Sequence, residues 1–285
     1  MDATRDEARG QPLETLGTIE ALEAIEGAAW ADVFEAAPPA LRARLGLEVE
    51  RTGGATILRA PGLDHVLFNR AFGLGASAPV EDVARGYAQA GVRRFFVQVR
   101  EDDEPGLAAA LTRAGLERYP RAWVKMARGA GPVVEAPTDL TVVRASSAYR
   151  AEIAALLGEA FDLPEEGGAL LGGLIGRAGW HVYVALDGAR VAAAGGLYVE
   201  GAAANLAFAA TRPEHRGRGA QSALMARRLR LALDLGCTLV TSETGEAAPG
   251  DPQHSFRNMT RHGLCPRHRR ANFAPAGVRW GRAVA

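Results

Sequence analysis

The chain has 285 residues, 48% of them apolar, which is more than one ordinary domain needs and enough for two cores of about 140 residues each. Lys and Arg number 33 against 33 Asp and Glu, so the formal net charge is zero and no global field draws the protein to nucleic acid or to an anionic membrane. Cys237 and Cys265 form neither a CxxC pair nor a disulfide framework, which suits a reducing cytoplasm and predicts no metal site.

The opening "MDATRDEARGQPLETLG" is acidic and lacks an apolar leader core, and no uninterrupted apolar run approaches the ~18 residues of a membrane span. A soluble cytoplasmic protein is expected. Apolar spacing predicts a helix over 18–37, broken and restarted by "PPALRARLG". Short strands follow in "GATILRAP" and "DHVLFNRA", then a helix over 79–91, a buried strand over 93–99, a helix over 104–115 and a strand over 121–128. The Gly/Pro-rich stretch 129–137 reads as a linker.

The second half repeats this order. A strand is predicted over 140–146 and a helix over 147–161, and 180–211 reads as three antiparallel strands with turns at Asp187-Gly188 and Glu200-Gly201. A helix from Ser222, an apolar strand over 238–243, a Pro/Gly loop "TGEAAPGDP", a helix over 253–263 and a last strand near "RRANFAP" complete it. "RAGL" at 113–116 matches "RHGL" at 261–264, and "GLGAS" at 73–77 matches "GRGAQS" at 217–222, in the same structural order. An internal duplication is inferred, with domains 1–137 and 138–285.

"HRGRGAQS" (215–222) lies between a strand and a helix. Two glycines and two arginines there suit a tight turn, a dinucleotide loop, an RNA patch or an anion cradle. A helix whose first amides point into a glycine-opened turn presents unpaired N–H donors and the positive end of its dipole, which together attract an anion. The dinucleotide fingerprint asks for a third glycine where Ser222 stands and for a parallel unit where a meander is predicted.

"ATRPEHRGRGAQSALM" resembles the acyl-CoA loop of the GNAT superfamily of N-acyltransferases, with Gln221 standing where that signature asks for Gly or Ala. The likeness runs through 138–285 and implies a tandem α/β fold, each copy a mixed, mainly antiparallel sheet flanked by helices. It implies acetyl-CoA as the acyl donor, bound through Arg216, Gly217, Arg218, Gly219, Ala220, Gln221 and Ser222, with Ala209, Ala210 and Thr211 holding pantetheine and Asn258 facing the cofactor arm. The first copy has Phe72 and Leu74 in place of the arginines, and Glu81 and Asp82 at its helix start, so it is expected to be degenerate.

Direct attack by an amine needs that amine neutral, hence a base or a water chain. In the branch of the family that acetylates histones a Glu of the central strand does this; Asn205 aligns there and cannot take the proton. Glu243 and His254 are the replacement candidates, with Glu200 behind them. The family's thiol-protonating Tyr falls on Met259, which leaves solvent as the acid. Ser255 lies one turn from Asn258, Tyr183 and Tyr198 suit either an acceptor cleft or a core, and the basic run Arg267–Arg270 has no aromatics interleaved for base stacking. An acetyltransferase acting on a small amine is therefore expected, with no metal, no nucleic acid and no membrane, as a monomer or homodimer; a non-catalytic acyl-CoA sensor and an RNA-associated scaffold are the competing classes.

Overall fold

A computed structural model describes residues 17–246 and 253–278. The acidic leader and most of the Pro/Gly loop fall outside these. The first half runs α1 (Ile19–Glu35), α2 (Pro39–Leu45), β1 (Glu48–Thr52), β2 (Ala55–Arg59), β3 (Arg70–Leu74), α3 (Val80–Gln89), β4 (Phe96–Arg100), α4 (Glu104–Arg113), β5 (Leu116–Arg118) and β6 (Trp123–Gly129). The second runs β7 (Thr141–Arg144), α5 (Arg150–Phe161), α6 (Glu165–Gly172), β8 (Trp180–Asp187), β9 (Arg190–Glu200), β10 (Ala203–Thr211), α7 (Ala220–Asp234), β11 (Leu239–Gly245), α8 (His254–Arg261) and β12 (Cys265–Pro275).

The strands form one continuous mixed sheet in the order β1-β2-β3-β4-β12-β6-β11-β10-β9-β8-β7, with β5 on β12. Among the described residues only β3/β4 and β10/β11 are parallel pairs. The two halves exchange strands at its centre. β6 of the first half lies between β11 and the start of β12, through Glu243↔Lys125 and His268↔Lys125. The end of β12 then crosses to β4 and β5, through Asn272↔Gln98 and Ala274↔Glu117.

Packing across the halves follows the same pattern. One core cluster joins Phe34, Phe68 and Phe72 to Ile153, Leu170, Trp180 and Val184, so α1, α5 and α6 share one face of the sheet. Helices α7 and α8 bury Met225, Leu229 and Met259 on the other face. Asp32 of α1 accepts two bonds from Arg177 (2.6 and 2.7 Å) and one from the Trp180 indole (2.8 Å). The bidentate form is the stronger class of ion pair.

Most expected elements are present, with some changes. "DHVLFNRA" is a strand only from Arg70 onward, because the buried Asn69 amide replaces sheet partners for the preceding turn: its oxygen accepts from Ala60 N (2.7 Å) and its nitrogen donates to the carbonyls of Ala60, Leu63 and His65. An unpaired buried backbone would cost more than this local bracing. α6, β1 and β5 are additional elements, and α7 starts two residues before Ser222.

Candidate active site

Parallel strands β10 and β11 pair only from Ala203–Leu239 to Asn205–Thr241. Beyond them β10 bulges: Ala207 opposes Gly196 and Ala210 opposes Ala194, leaving Phe208 and Ala209 across from Gly195 alone. Phe208 sits at φ 51°, a strained conformation for an aromatic residue that persists only where the surroundings fix it. Here the ring is fixed by Trp30 (5.3 Å, edge-on) and Trp180 (5.4 Å, stacked). A bulge next to a strand end turns the chain away from its neighbour, and a cavity of ≈ 360 Å³ opens where the strands part. Trp30, Leu67 and Phe161 wall it on the α1/α5 face, and Met225, Arg228 and Met259 on the α7/α8 face.

The glycine loop leads into the adjoining helix α7. Gly217 and Gly219 take φ of 80° and 79°, which glycine alone adopts freely. A Cβ on Gly219 would stand 2.4 Å from the Pro137 carbonyl oxygen, whereas one on Gly217 would meet open space. The first helical bond of α7 is Ala223 N to Gly219 O, so the amides of Gly219, Ala220, Gln221 and Ser222 have no acceptor within the helix, and no side chain caps that end. Such an end is a ready site for an anion.

The two loop arginines differ. Arg218 is held by Asp139 and, at 2.8 Å, by Asp187. Its hydrogen bonds keep both carboxyls below their usual range. Arg216 is exposed and has no ion-pair partner among the described residues. Arg218 thus ties the loop to the start of the second half, and Arg216 is the cation left for a ligand. Gln221 donates to the Thr211 hydroxyl (2.8 Å), and Ser222 donates to the Asn258 side-chain oxygen, which joins the start of α7 to α8.

The remaining sequence candidates are distributed unevenly. Ala209 faces the cavity, while Ala210 and Thr211 pair with β9. Ser255 and Met259 line the cavity from α8; His254, one residue earlier, is exposed and is not in its wall. Glu200 is exposed at the end of β9, and Tyr183 and Tyr198 are buried in the core. The basic run lies on β12, where Arg270 is buried, His268 is half-buried and Arg269 pairs with Glu101 and Glu246.

Glu243 lines the cavity with its side chain 17% exposed, and both of its oxygens are engaged: Oε1 accepts from Arg70 (2.8 Å) and Oε2 from Arg270 (2.6 Å). These belong to a buried network that sequence reasoning missed. Glu26 accepts from Arg70 (2.9 Å), Lys125 (2.6 Å) and Arg270 (2.7 Å), and Glu23 accepts from Arg270 and from His268 (2.7 Å). Burial pushes the Glu26 carboxyl up, yet Arg270, Lys125 and Arg70 outweigh it and hold the group well below the usual carboxylate range. Three acids, Glu23, Glu26 and Glu243, face three cations, Arg70, Lys125 and Arg270. The available signals were the chain's single lysine within an apolar strand, and two glutamates on the apolar stripe Leu22, Ile25, Ala29 of α1. Among the described residues no group of His, Cys, Asp or Glu could hold a metal ion, and no helix is long and apolar enough to cross a membrane.

Residues 152–250 match the family described as the acetyltransferase (GNAT) family. No curated protein is significantly similar in sequence. Among solved structures, the GCN5-related N-acetyltransferase from Kribbella flavida is 16% identical, covers 92% of this chain and 97% of its own, and superposes with a TM-score of 0.64. The GCN5-related N-acetyltransferase from Sphaerobacter thermophilus is 14% identical over 93% of each chain (TM-score 0.56). A tandem GNAT protein from the clavulanic acid biosynthesis pathway is 18% identical over 94% of this chain and 96% of its own (TM-score 0.56). At these identities the likeness is one of fold, and it extends over nearly the whole chain.

Proposed function

Residues 152–250 being a GNAT-family acetyltransferase domain, a family that transfers acyl groups from acyl-CoA, we propose that the protein moves an acetyl group from acetyl-CoA to the amine of a small molecule by direct attack. The observation that carries this reading is the splay of β10 from β11, opening beside a helix start with unpaired amides. A pyrophosphate at Gly217–Ser222 would meet those amides and Arg216, and the pantetheine arm would enter the splay. Amides of the bulge at Phe208 and Ala209 would then polarise the thioester carbonyl, as donors fixed in advance do for a developing oxyanion. The cavity of ≈ 360 Å³ suits a compact acceptor on the α1/α5 side. Mixing the protein with acetyl-CoA and a panel of amines, and following thiol release, tests the reading. No release with any amine, together with tight CoA binding, would favour the sensor reading, which Asn205 and Met259 motivate.

The first half is proposed as a degenerate first copy of the fold, with the domains at 1–137 and 138–285. The order β3, loop, α3, β4, α4, β5 repeats β10, loop, α7, β11, α8, β12, and each set holds one parallel pair. Phe72 and Leu74 are buried, and Glu81 and Asp82 occupy the first turn of α3, where negative charge opposes anion binding.

A further inference from the structure

Ser222, Met225 and Arg228 lie three residues apart on α7, on the face that meets α8 and the cavity. Arg228 is the unusual member. Its side chain is completely buried, and no carboxylate lies within ion-pair distance among the described residues. Nε donates to the Leu224 carbonyl (3.1 Å), and Nη1 to the carbonyls of Gly196 (2.8 Å) and Ala207 (3.4 Å). Nη2 is buried with no hydrogen-bond partner. Burial alone lowers its pKa to about 10, so the group remains a cation at neutral pH. A buried charge without a counterion is among the costliest features a core can hold. The guanidinium occupies the space a Cβ on Gly195 would need, 2.8 Å from its carbon, and Gly195 is the residue opposite the bulge. Gly195 thus leaves room for this cation beside the place where the strands part.

Resting on the acyl-transfer reading above, we infer that Arg228 receives the sulfur of the leaving CoA as a thiolate. Nine residues separate Gly219 from Arg228, about 14 Å along the helix at ~1.5 Å per residue. An extended pantetheine arm hung from a pyrophosphate at the helix start covers a comparable distance. In the reaction the amine nitrogen bonds to the carbonyl carbon, the C–S bond breaks with its electron pair passing to sulfur, and one proton of the former amine goes to Glu243 or to water. The negative charge on sulfur, in the cavity that Arg228 lines, is then balanced by the guanidinium charge instead of being quenched by a proton donor, and Met259 on α8 offers no such donor. A cation next to a thiol favours the thiolate.

The test uses CoA and desulfo-CoA, which differ only at the sulfur, with the full chain. Calorimetry across pH 7 to 9 is expected to show CoA gaining about tenfold or more over desulfo-CoA as pH rises, and the far-ultraviolet thiolate absorbance of bound CoA to titrate below the free-thiol value. Arg228→Met is expected to lose the pH-dependent gain while keeping its desulfo-CoA affinity, which also reports that the loop and fold are intact. Should that variant not fold, Arg228→Lys, which keeps the charge but not the planar fork, is expected to retain part of the gain. A wild-type preference that does not change with pH, or a gain that persists in Arg228→Met, overturns the inference. Failure of both ligands to bind the wild type would instead overturn the acyl-CoA reading on which it rests.

Discussion

Asn205 and Thr241 are the last residue pair shared by β10 and β11, and the Thr241 hydroxyl donates to the Asn205 side-chain oxygen over 2.9 Å. The bond closes the base of the splay and turns the Asn205 side chain to a structural task. An amide has no proton affinity useful near neutral pH, so any side-chain base must come from elsewhere on the wall, and Glu243 is the carboxylate with partial exposure there. Glu243→Gln is expected to lower kcat/KM by about 10²-fold, the usual scale for loss of a general base. CoA affinity should stay near the wild-type value, since the loop is on a different element. An unchanged pH–rate profile in the variant would assign the proton to ordered water. Tm should also fall, because Arg70 and Arg270 each lose a buried counter-charge.

CoA is expected to bind once per chain, through the loop before α7. Arg216→Glu, at an exposed cation, should weaken CoA at least tenfold without changing Tm. Gly217→Asp should weaken it further, placing a carboxylate against unpaired amides. Gly75→Asp in the first copy, where a Cβ meets open space, should leave affinity unchanged. Calorimetry reporting two sites per chain would refute a degenerate first copy.

Stability is expected to fall with acid in two stages. His65 and His262 are buried, and burial lowers the pKa of each to about 4. Between about pH 6.5 and 4 the unfolded chain therefore binds protons that the folded chain does not, and stability drops as pH falls through that window. The carboxyls of Glu23 and Glu26 are held below their ordinary value in the folded state, so their contribution is present above the unfolded value of about 4.3 and is lost as pH falls below it. Urea midpoints measured from pH 7.5 to 3.5 should show both slopes. Neither ring nitrogen of His262 has a partner among the described residues, so His262→Leu should roughly halve the first slope, His65 supplying the rest, and leave the second; an unaltered first slope would exclude His262 as a source of it.

The local parts of this protein are legible in the sequence. The meander over 180–211 and the glycine loop depend on turn residues and period-2 spacing within a few tens of residues, and both lie where the sequence places them. The strand exchange is different, because Lys125 pairs with Glu243 and with His268, more than a hundred residues away, and apolar spacing carries no information about which strands are neighbours. The ion network escapes notice for the same reason: Glu23 and Glu26 lie on the apolar stripe of α1, but their partner Arg270 comes from the far end of the chain. Glu243 is a candidate from its strand-end position, and nothing in the sequence points to the two arginines that occupy it.

Strand exchange gives the truncation experiment a definite expectation. Residues 138–285 expressed alone would lack β6, leaving the whole length of β11 from Leu239 to Gly245 without its neighbour and separating it from β12. Two open edges beside one another are a template for association between chains. Val124 and Met126, both buried, would go with the strand, at roughly 1.5–3 kcal/mol each. Glu243 and Arg270 would keep each other but lose Arg70, and Glu23 and Glu26 would be missing from the network. The fragment is therefore expected to aggregate or to self-associate through the vacated position, with acceptor turnover lost even where CoA still binds at 216–222. Light scattering, CoA calorimetry and turnover beside the full chain check this. Adding a peptide spanning 121–131 in trans should restore part of the soluble fraction, since the edges it would fill are the ones exposed. A fragment that is monomeric, soluble and fully active without the peptide would show that β6 is dispensable and that the first half serves some purpose other than completing this sheet.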